Sequence, residues 1–287
     1  MSTRLTIQLG GSPVFLDAIP LTREAFAPFG DVVENPRPQL HPSAASSQPS
    51  SLPYDGIVAN QGTAIKYQHP TRMENLYNQA PSRVPGVAVA NMFVCAARTL
   101  LRPSDVSPTP APASSEGFDG SAVGSGLQSA ANIFPVSVLE RHPFTTQTFV
   151  PLSIDSAKRY LVVVAPSLPP SEVDKVLPVP LTRATDSPIK GQLPGRGLPD
   201  TGRLRAFVAS AEQAVTYGAG TWHAPMVALG PAGTALDFLV FQFANNVAIE
   251  DCQEVYLAPS SSPSVNQAVP ASKFLVRVPG AAKQAKL

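Results

Sequence analysis

Proline sets the first limit on what this chain can fold into. There are 32 prolines in 287 residues, and each removes a backbone donor and breaks a helix interior, so long helices do not survive where prolines recur. They crowd into residues 35 to 53, 103 to 113 and 166 to 199, together with Ser, Ala and Gly; such stretches read as loops or disordered insertions. Between them lie short segments rich in Val, Ile, Phe and Thr, residue types that suit a pleated, half-buried surface. Strands are expected at 12–18, 31–34, 63–67, 87–97, 133–141, 146–150, 160–165, 204–208, 214–217, 226–229, 236–243 and 253–257. Roughly a dozen short strands specify an all-β barrel or sandwich. One short helix is expected at Arg23 to Ala27, where Thr22 can cap the amide of Glu24 or Ala25 and Pro28 with Gly30 ends it. No internal repeat at a fixed period is present, which argues against a propeller or solenoid.

A hydrophobic fraction of 44% over this length can bury a full core without disulfides or a structural metal. The formal charge of +1 is spread without a basic stripe, so the electrostatic footprint of a nucleic-acid or anionic-membrane binder is missing. A small molecule is the better partner. Cys95 and Cys252 sit far apart among apolar neighbours and read as buried thiols of a reducing compartment. No apolar run reaches the ~20 residues of a membrane-spanning helix, and the first thirty residues lack a secretory pattern; the expectation is a soluble protein that is not secreted. The final residues Ala285-Lys286-Leu287 differ by one small residue from the Ser-Lys-Leu peroxisomal address, which gives a peroxisomal location, with the cytoplasm as the alternative. The domain organisation expected is one catalytic domain over 1–258, with insertions at about 35–55, 102–128 and 166–203, and a C-terminal tail over 259–287.

Histidine is the scarcest informative residue: only His41, His69, His142 and His223 occur. His41 lies in the first proline-rich stretch and His69 precedes Pro70, both readable as solvated loop positions. The other two stand in patterns. In Leu139-Glu140-Arg141-His142-Pro143-Phe144-Thr145-Thr146-Gln147, residues two apart on a strand share a face, so Glu140 and His142 project together and Arg141 projects away. A turn at Pro143 would return Gln147 beside them. In Gly218-Ala219-Gly220-Thr221-Trp222-His223-Ala224-Pro225, glycines allow a turn that presents one imidazole at a strand start.

The two patterns together resemble the paired cupin motifs, in which one hairpin offers an acid or His, a second His and a further acid or amide, and a Gly-x-x-His turn offers a third His. Here those slots read Glu140, His142, Gln147 and His223. The resemblance implies an all-β, cupin-like double-stranded β-helix (jelly-roll) barrel with a short N-terminal helix and long Pro/Ser-rich loops. It also implies one shared cavity, which in cupins often holds a divalent metal. With two imidazoles, one carboxylate and one amide, the set suits a metal-free acid and base site, and Mn or a similar ion is the alternative.

A closer resemblance is to the ureidoglycolate lyase family of purine-ureide catabolism. It is carried by Leu21 to Val32, Asn60 to Tyr67, the Leu139 to Leu152 block, Leu204 to Phe207 with Glu212-Gln213, Tyr217 to Pro225, and Asp237-Phe238-Leu239, in that order. Bacterial members carry extra basic or imidazole residues where this chain has Gly218, Ala219 and Ala224. The resemblance implies an amidine-lyase reaction that eliminates urea from ureidoglycolate to give glyoxylate in allantoin catabolism, with no cofactor required. A metal-dependent cupin aminohydrolase on a related ureide and a non-catalytic ligand-binding cupin are the alternatives.

That chemistry needs a base, an acid and an anion clamp. His142 or His223 is the expected base, Glu140 orients an imidazole or passes the proton, and Gln147 bonds the ureido group. Lys66 is the candidate cation for the substrate carboxylate, a solvated surface position being its alternative, and Asn60, Tyr67 and Arg205 are candidates for the pocket wall. Asp237, the only acid in the apolar run from Ala235 to Phe243, is expected to orient His223, because a buried acid must be paired. Arg141 is expected to support a neighbouring strand or a subunit contact. Edge-strand pairing makes a homodimer the expected assembly.

Overall fold

The run Tyr160-Leu-Val-Val-Val-Ala165 has no polar residue on either face, the pattern of a strand buried on both sides. In the computed structural model, which describes residues 5–45, 52–106, 132–183, 191–259 and 272–280, this run is β11 (Arg159–Ala165), inside the largest sheet. That sheet has eight strands. Its order is β1 (Leu5–Leu9), β17 (Gln253–Pro259), β9 (Val138–Arg141), β14 (Trp222–His223), β11, β12 (Arg205–Ser210) and β3 (Ile19–Pro20), with β15 (Val227–Leu229) also paired to β11.

Alternation along β11 divides its side chains between two cores. Tyr160, Val162 and Val164 pack with Phe149, Tyr217, Phe238 and Val240, which belong to a five-stranded sheet ordered β4 (Gly30–Val33), β13 (Ala214–Tyr217), β10 (Gln147–Pro151), β16 (Ala235–Ala244) and β7 (Val87–Ala96). Leu161, Val163 and Ala165 pack on the other side with Phe134, Val136, Phe274 and Val276. These come from a three-stranded sheet, β2 (Val14–Asp17), β18 (Phe274–Val278) and β8 (Asn132–Val136). A hairpin of β5 (Ile57–Ala59) and β6 (Ala64–Lys66) stands apart. The protein is all-β, and the facing sheets are consistent with a cupin-like barrel. The short helix forms at Arg23–Phe26, with the Ala25 amide donating to Thr22 Oγ1 at 3.2 Å.

Three differences from the sequence reading have physical causes. The segment 133–141 is two strands: β8 joins the small sheet and β9 the large one, and between them the Ser137 carbonyl accepts from Leu257 N at 2.9 Å. Residues 274–278, read as tail, form β18 with Phe274, Leu275, Val276 and Val278 buried. Third, the described part of the 166–203 insertion packs against the barrel, with Asp174 and Leu177 buried. The proline-rich residues 46–51, 107–131 and 184–190, and the terminal tripeptide 285–287, lie outside the described residues.

Gly30 makes one of the fold's tight backbone approaches. Its φ is +151°, and a Cβ there would lie 1.9 Å from the Thr216 carbonyl oxygen. The adjacent Phe29 carbonyl accepts from Gly218 N at 2.9 Å and Thr221 Oγ1 at 3.0 Å, so this contact shapes the turn that carries His223. Gly30→Ala is therefore expected to cost about 2–3 kcal/mol through backbone displacement, read as a lower denaturant midpoint at unchanged slope.

Candidate active site

Cross-strand neighbours in a sheet share a face, and the registers place the chemistry-bearing residues in two facing rows. In the large sheet His223 pairs with Glu140, and Glu140 pairs with Glu254. In the five-stranded sheet Tyr217 pairs with Gln147. The rows meet where the Tyr217 ring stacks on His223, with centroids 3.9 Å apart and planes 10° apart. His142, one residue past β9, brings its ring centroid to 5.7 Å from that of His223.

Each imidazole is fixed through one nitrogen. His142 Nδ1 lies 2.6 Å from the Asp251 carbonyl oxygen, and His223 Nδ1 lies 2.9 Å from that of Thr221. A carbonyl only accepts, so both Nδ1 atoms carry the proton and both Nε2 atoms of the neutral rings present a lone pair. Neither Nε2 has a hydrogen-bond partner among the described residues, although both are buried. The backbone ties the two residues together as well, since Gly220 N donates to the His142 carbonyl at 2.9 Å.

Burial decides the protonation states. It lowers the pKa of His142 against the opposing pull of the Asp251 carbonyl, and it lowers that of His223 to about 3, helped by the His142 ring. Glu140 moves the other way, to about 7, because burial and then Glu254 disfavour its charge while the Cys252 thiol favours it. Glu140 Oε1 and His223 Nε2, 3.6 Å apart, are thus no ion pair at neutral pH, and the gap exceeds a direct hydrogen bond. Donor atoms of Glu140, His142 and His223 all lie within 4.8 Å of one another.

These protonation states have a measurable consequence for the metal-free protein. The imidazoles are neutral in the fold but titrate near 6.5 when unfolded, so the stability they supply is present above 6.5 and is lost as the pH falls. Glu140 has the opposite sign: its raised pKa supplies stability below 4.5 that is lost as the pH rises through about 7. Between 4.5 and 6.5 the proton that His223 takes up on unfolding and the one that Glu140 releases cancel. The slope therefore comes from His142, whose lowered pKa makes stability fall on acidification by at most about 1.4 kcal/mol per pH unit, measured as the urea midpoint after chelation. A flat profile would mean that His142 is not held neutral.

Gln147 donates through Nε2 to Gln242 Oε1 at 2.7 Å, and its own Oε1 is buried without a partner among the described residues. Arg141 points away from the site, as alternation requires. It is fully buried, donates to Gln253 Oε1 and to the carbonyls of Gly195, Arg196 and Gly197, and lies over the Trp222 ring at 4.4 Å.

Other sequence candidates stand elsewhere. Asp237 is exposed because its neighbours Leu236 and Phe238 take the inward phase of β16, so it does not orient His223. Lys66 is exposed on β6, which pairs with β5, and Asn60 is exposed in the turn between these strands. Tyr67 is half-buried with an unpartnered hydroxyl. Arg205 pairs with Val164, which pairs in turn with His223; it shares their face but is exposed at the end of the row. Among the described residues, the charges that shift Glu140, His142 and His223 come from Glu254, Asp251 and, for His223, the His142 ring. A cleft of about 640 Å³ lined by Arg23, Arg72, Arg183, Thr146, Gly218 and Thr221 borders the turn that carries His223, although none of the three site residues lines it.

Sequence reasoning missed Tyr217, Gln242, Cys252 and Glu254. A register in hand would have found Tyr217 and Glu254, each the cross-strand neighbour of a residue already singled out; Gln242 is reached only through its side-chain bond to Gln147. Cys252 Sγ, 3.9 Å from Glu140 Oε2, carried no such signal.

The fold is all-β, and two neighbouring buried imidazoles beside a carboxyl of raised pKa suit proton transfer on a small molecule. The chain belongs to the ureidoglycolate lyase family, whose model matches residues 13–264. It is 35% identical over 234 residues to a ureidoglycolate lyase of Schizosaccharomyces pombe, covering 81% of this chain and 86% of that protein. It is 33% identical over 221 residues to one of Saccharomyces cerevisiae, covering 77% and 81%. A Burkholderia mallei ureidoglycolate lyase is 28% identical over 221 residues, covering 77% and 78%.

Proposed function

We propose that this protein eliminates urea from ureidoglycolate to give glyoxylate, with Glu140, His142, His223 and Gln147 as the reacting and orienting groups. The observation that carries the reading is the pair of bare Nε2 atoms beside a carboxyl that shares its proton near neutral pH. The carbon that reacts bears a hydroxyl, a carboxylate, a hydrogen and the ureido nitrogen. His142 takes the hydroxyl proton through Nε2, the oxygen electrons form the aldehyde carbonyl, and the C–N bond breaks; His223, with its pKa lowered to about 3, is the weaker base and orients the substrate by accepting a hydrogen bond at Nε2. Protonated Glu140 supplies the proton that the departing nitrogen needs, and returns to its starting state by recovering the one held on the imidazole. No water is consumed and no electron is exchanged. Gln147 Oε1 accepts from a ureido N–H and so orients the leaving group. Proton transfer to and from groups positioned this way contributes about 10²–10⁴-fold in rate.

The substrate carboxylate calls for a positive charge, and that favours a second reading of the same residues. Two bare imidazole nitrogens and a carboxylate within 4.8 Å fit a divalent ion such as Mn. Bound there, such an ion would supply a positive charge to the carboxylate and hydroxyl oxygens of the substrate. Incubation with racemic ureidoglycolate, with and without a chelator, tests both readings. Glyoxylate and urea in equal amounts are expected. Ammonia as the first product would overturn the lyase reading, and loss of turnover on chelation would replace the metal-free form with the second.

A homodimer and a peroxisomal location complete the proposal. Strand β7 is an edge of its sheet and exposes Val87, Met92 and Val94, an arrangement that a second copy of the chain would cover. The terminal Ala285-Lys286-Leu287 supports the peroxisomal address.

A further inference from the structure

We propose that Tyr77 is a positioning residue for His142, acting through Asp251. This inference rests on the reading of His142 as a site residue. Tyr77 opens a single helical turn, Tyr77–Gln79, at the end of a segment that crosses the β9–β10 connection, where Leu76 N donates to the Phe144 carbonyl at 2.8 Å. Its ring is buried and tilted against Phe144 at 5.7 Å.

The Tyr77 hydroxyl donates to Asp251 Oδ1 at 2.6 Å. Asp251 Oδ1 also accepts from Asn245 N at 2.8 Å, and Oδ2 accepts from Asn246 N at 2.7 Å. Asp251 ends the turn Ala248–Asp251, and its own main-chain carbonyl takes the proton of His142 Nδ1. The direction of that carbonyl decides which nitrogen of His142 faces the site. With the carboxylate held at three points, the carbonyl cannot rotate away, and Nε2 keeps its lone pair inward. Neighbouring Glu250 steadies the same turn: it accepts from Ser82 N at 2.8 Å and from Asn245 Nδ2 at 2.7 Å. Burial and the Asp251 carboxylate push the Tyr77 hydroxyl well above its ordinary pKa, so it remains a donor throughout the working range. Groups that orient a reacting imidazole through its second nitrogen typically contribute about 10–100-fold.

The test is Tyr77→Phe in the full chain, followed by kinetics and by long-range proton–nitrogen spectra of the histidine rings. In the wild type His142 should show a protonated Nδ1 and a bare Nε2. In the variant its two nitrogens should move toward averaged shifts while those of His223 stay in place, and kcat should fall about tenfold with KM unchanged within about twofold. A variant in which His142 keeps its single tautomer would overturn the proposal, whatever its rate. Should Tyr77→Phe fail to fold, Asp251→Ala is read the same way, since it removes the acceptor of the Tyr77 hydroxyl and keeps the main-chain carbonyl that bonds His142 Nδ1. Absence of ureidoglycolate turnover in the wild type would end the lyase reading, while the spectra would still decide the role of Tyr77.

Discussion

Replacing His223 with alanine should lower glyoxylate formation by about 10²–10⁴-fold, equivalent to about 3–5 kcal/mol of transition-state stabilisation. The ring is 2% exposed, its Nδ1 is committed to the Thr221 carbonyl, and its Nε2 has no partner among the described residues. His142→Ala should act similarly, because its ring is held by the same logic through Asp251. Both variants should keep the wild-type circular dichroism, since the turn that carries His223 is braced by main-chain bonds from Gly218 and Gly220 that neither substitution removes. Full activity in both would dismiss these residues from the chemistry.

The second large effect is on stability and comes from Arg141→Met. Methionine keeps most of the buried stem but removes every donor, which leaves Gln253 Oε1 and the carbonyls of Gly195 and Arg196 without the guanidinium. Gly197 retains a partner, because Trp222 Nε1 donates to its carbonyl at 3.0 Å. Burial lowers the Arg141 pKa to about 9, with Asp174 opposing, so the group is still charged at neutral pH and its bonds are charge-assisted. The expected loss is about 3–5 kcal/mol, measured by chemical denaturation, with residues 195–197 becoming protease-sensitive before the barrel does. A loss below about 1 kcal/mol would show that the insertion holds itself in place.

What could be read from the sequence was what depends on local spacing. Alternation along Glu140-Arg141-His142 assigned opposite faces to Arg141 and to its neighbours, and the structure has Arg141 buried in the wall with Glu140 and His142 in the site. The helix cap at Thr22 is local too, and it forms. Asp237 was misjudged because its isolation within an apolar run was weighed without the phase of that run. Leu236 and Phe238 are the inward residues, so the residue between them must face out. Lys66 shows a different limit, since a matching block fixes family membership without saying where a short hairpin aims its side chains. β18 lies beyond a proline- and serine-rich stretch that made the segment look like a tail, yet three of its residues complete a core. Contacts between distant segments left no trace in spacing: Tyr77 and Asp251 are 174 positions apart, and only strand register joins Glu140 to Glu254.

In the proposed mechanism two imidazoles, His142 and His223, serve one substrate molecule in one site. A double-mutant cycle over His142→Ala and His223→Ala, read as kcat/KM for glyoxylate formation, tests it most directly. Groups that act as a unit are strongly non-additive, so the double variant should be little slower than the slower single variant. Losses that multiply, as for independent positions, would contradict it.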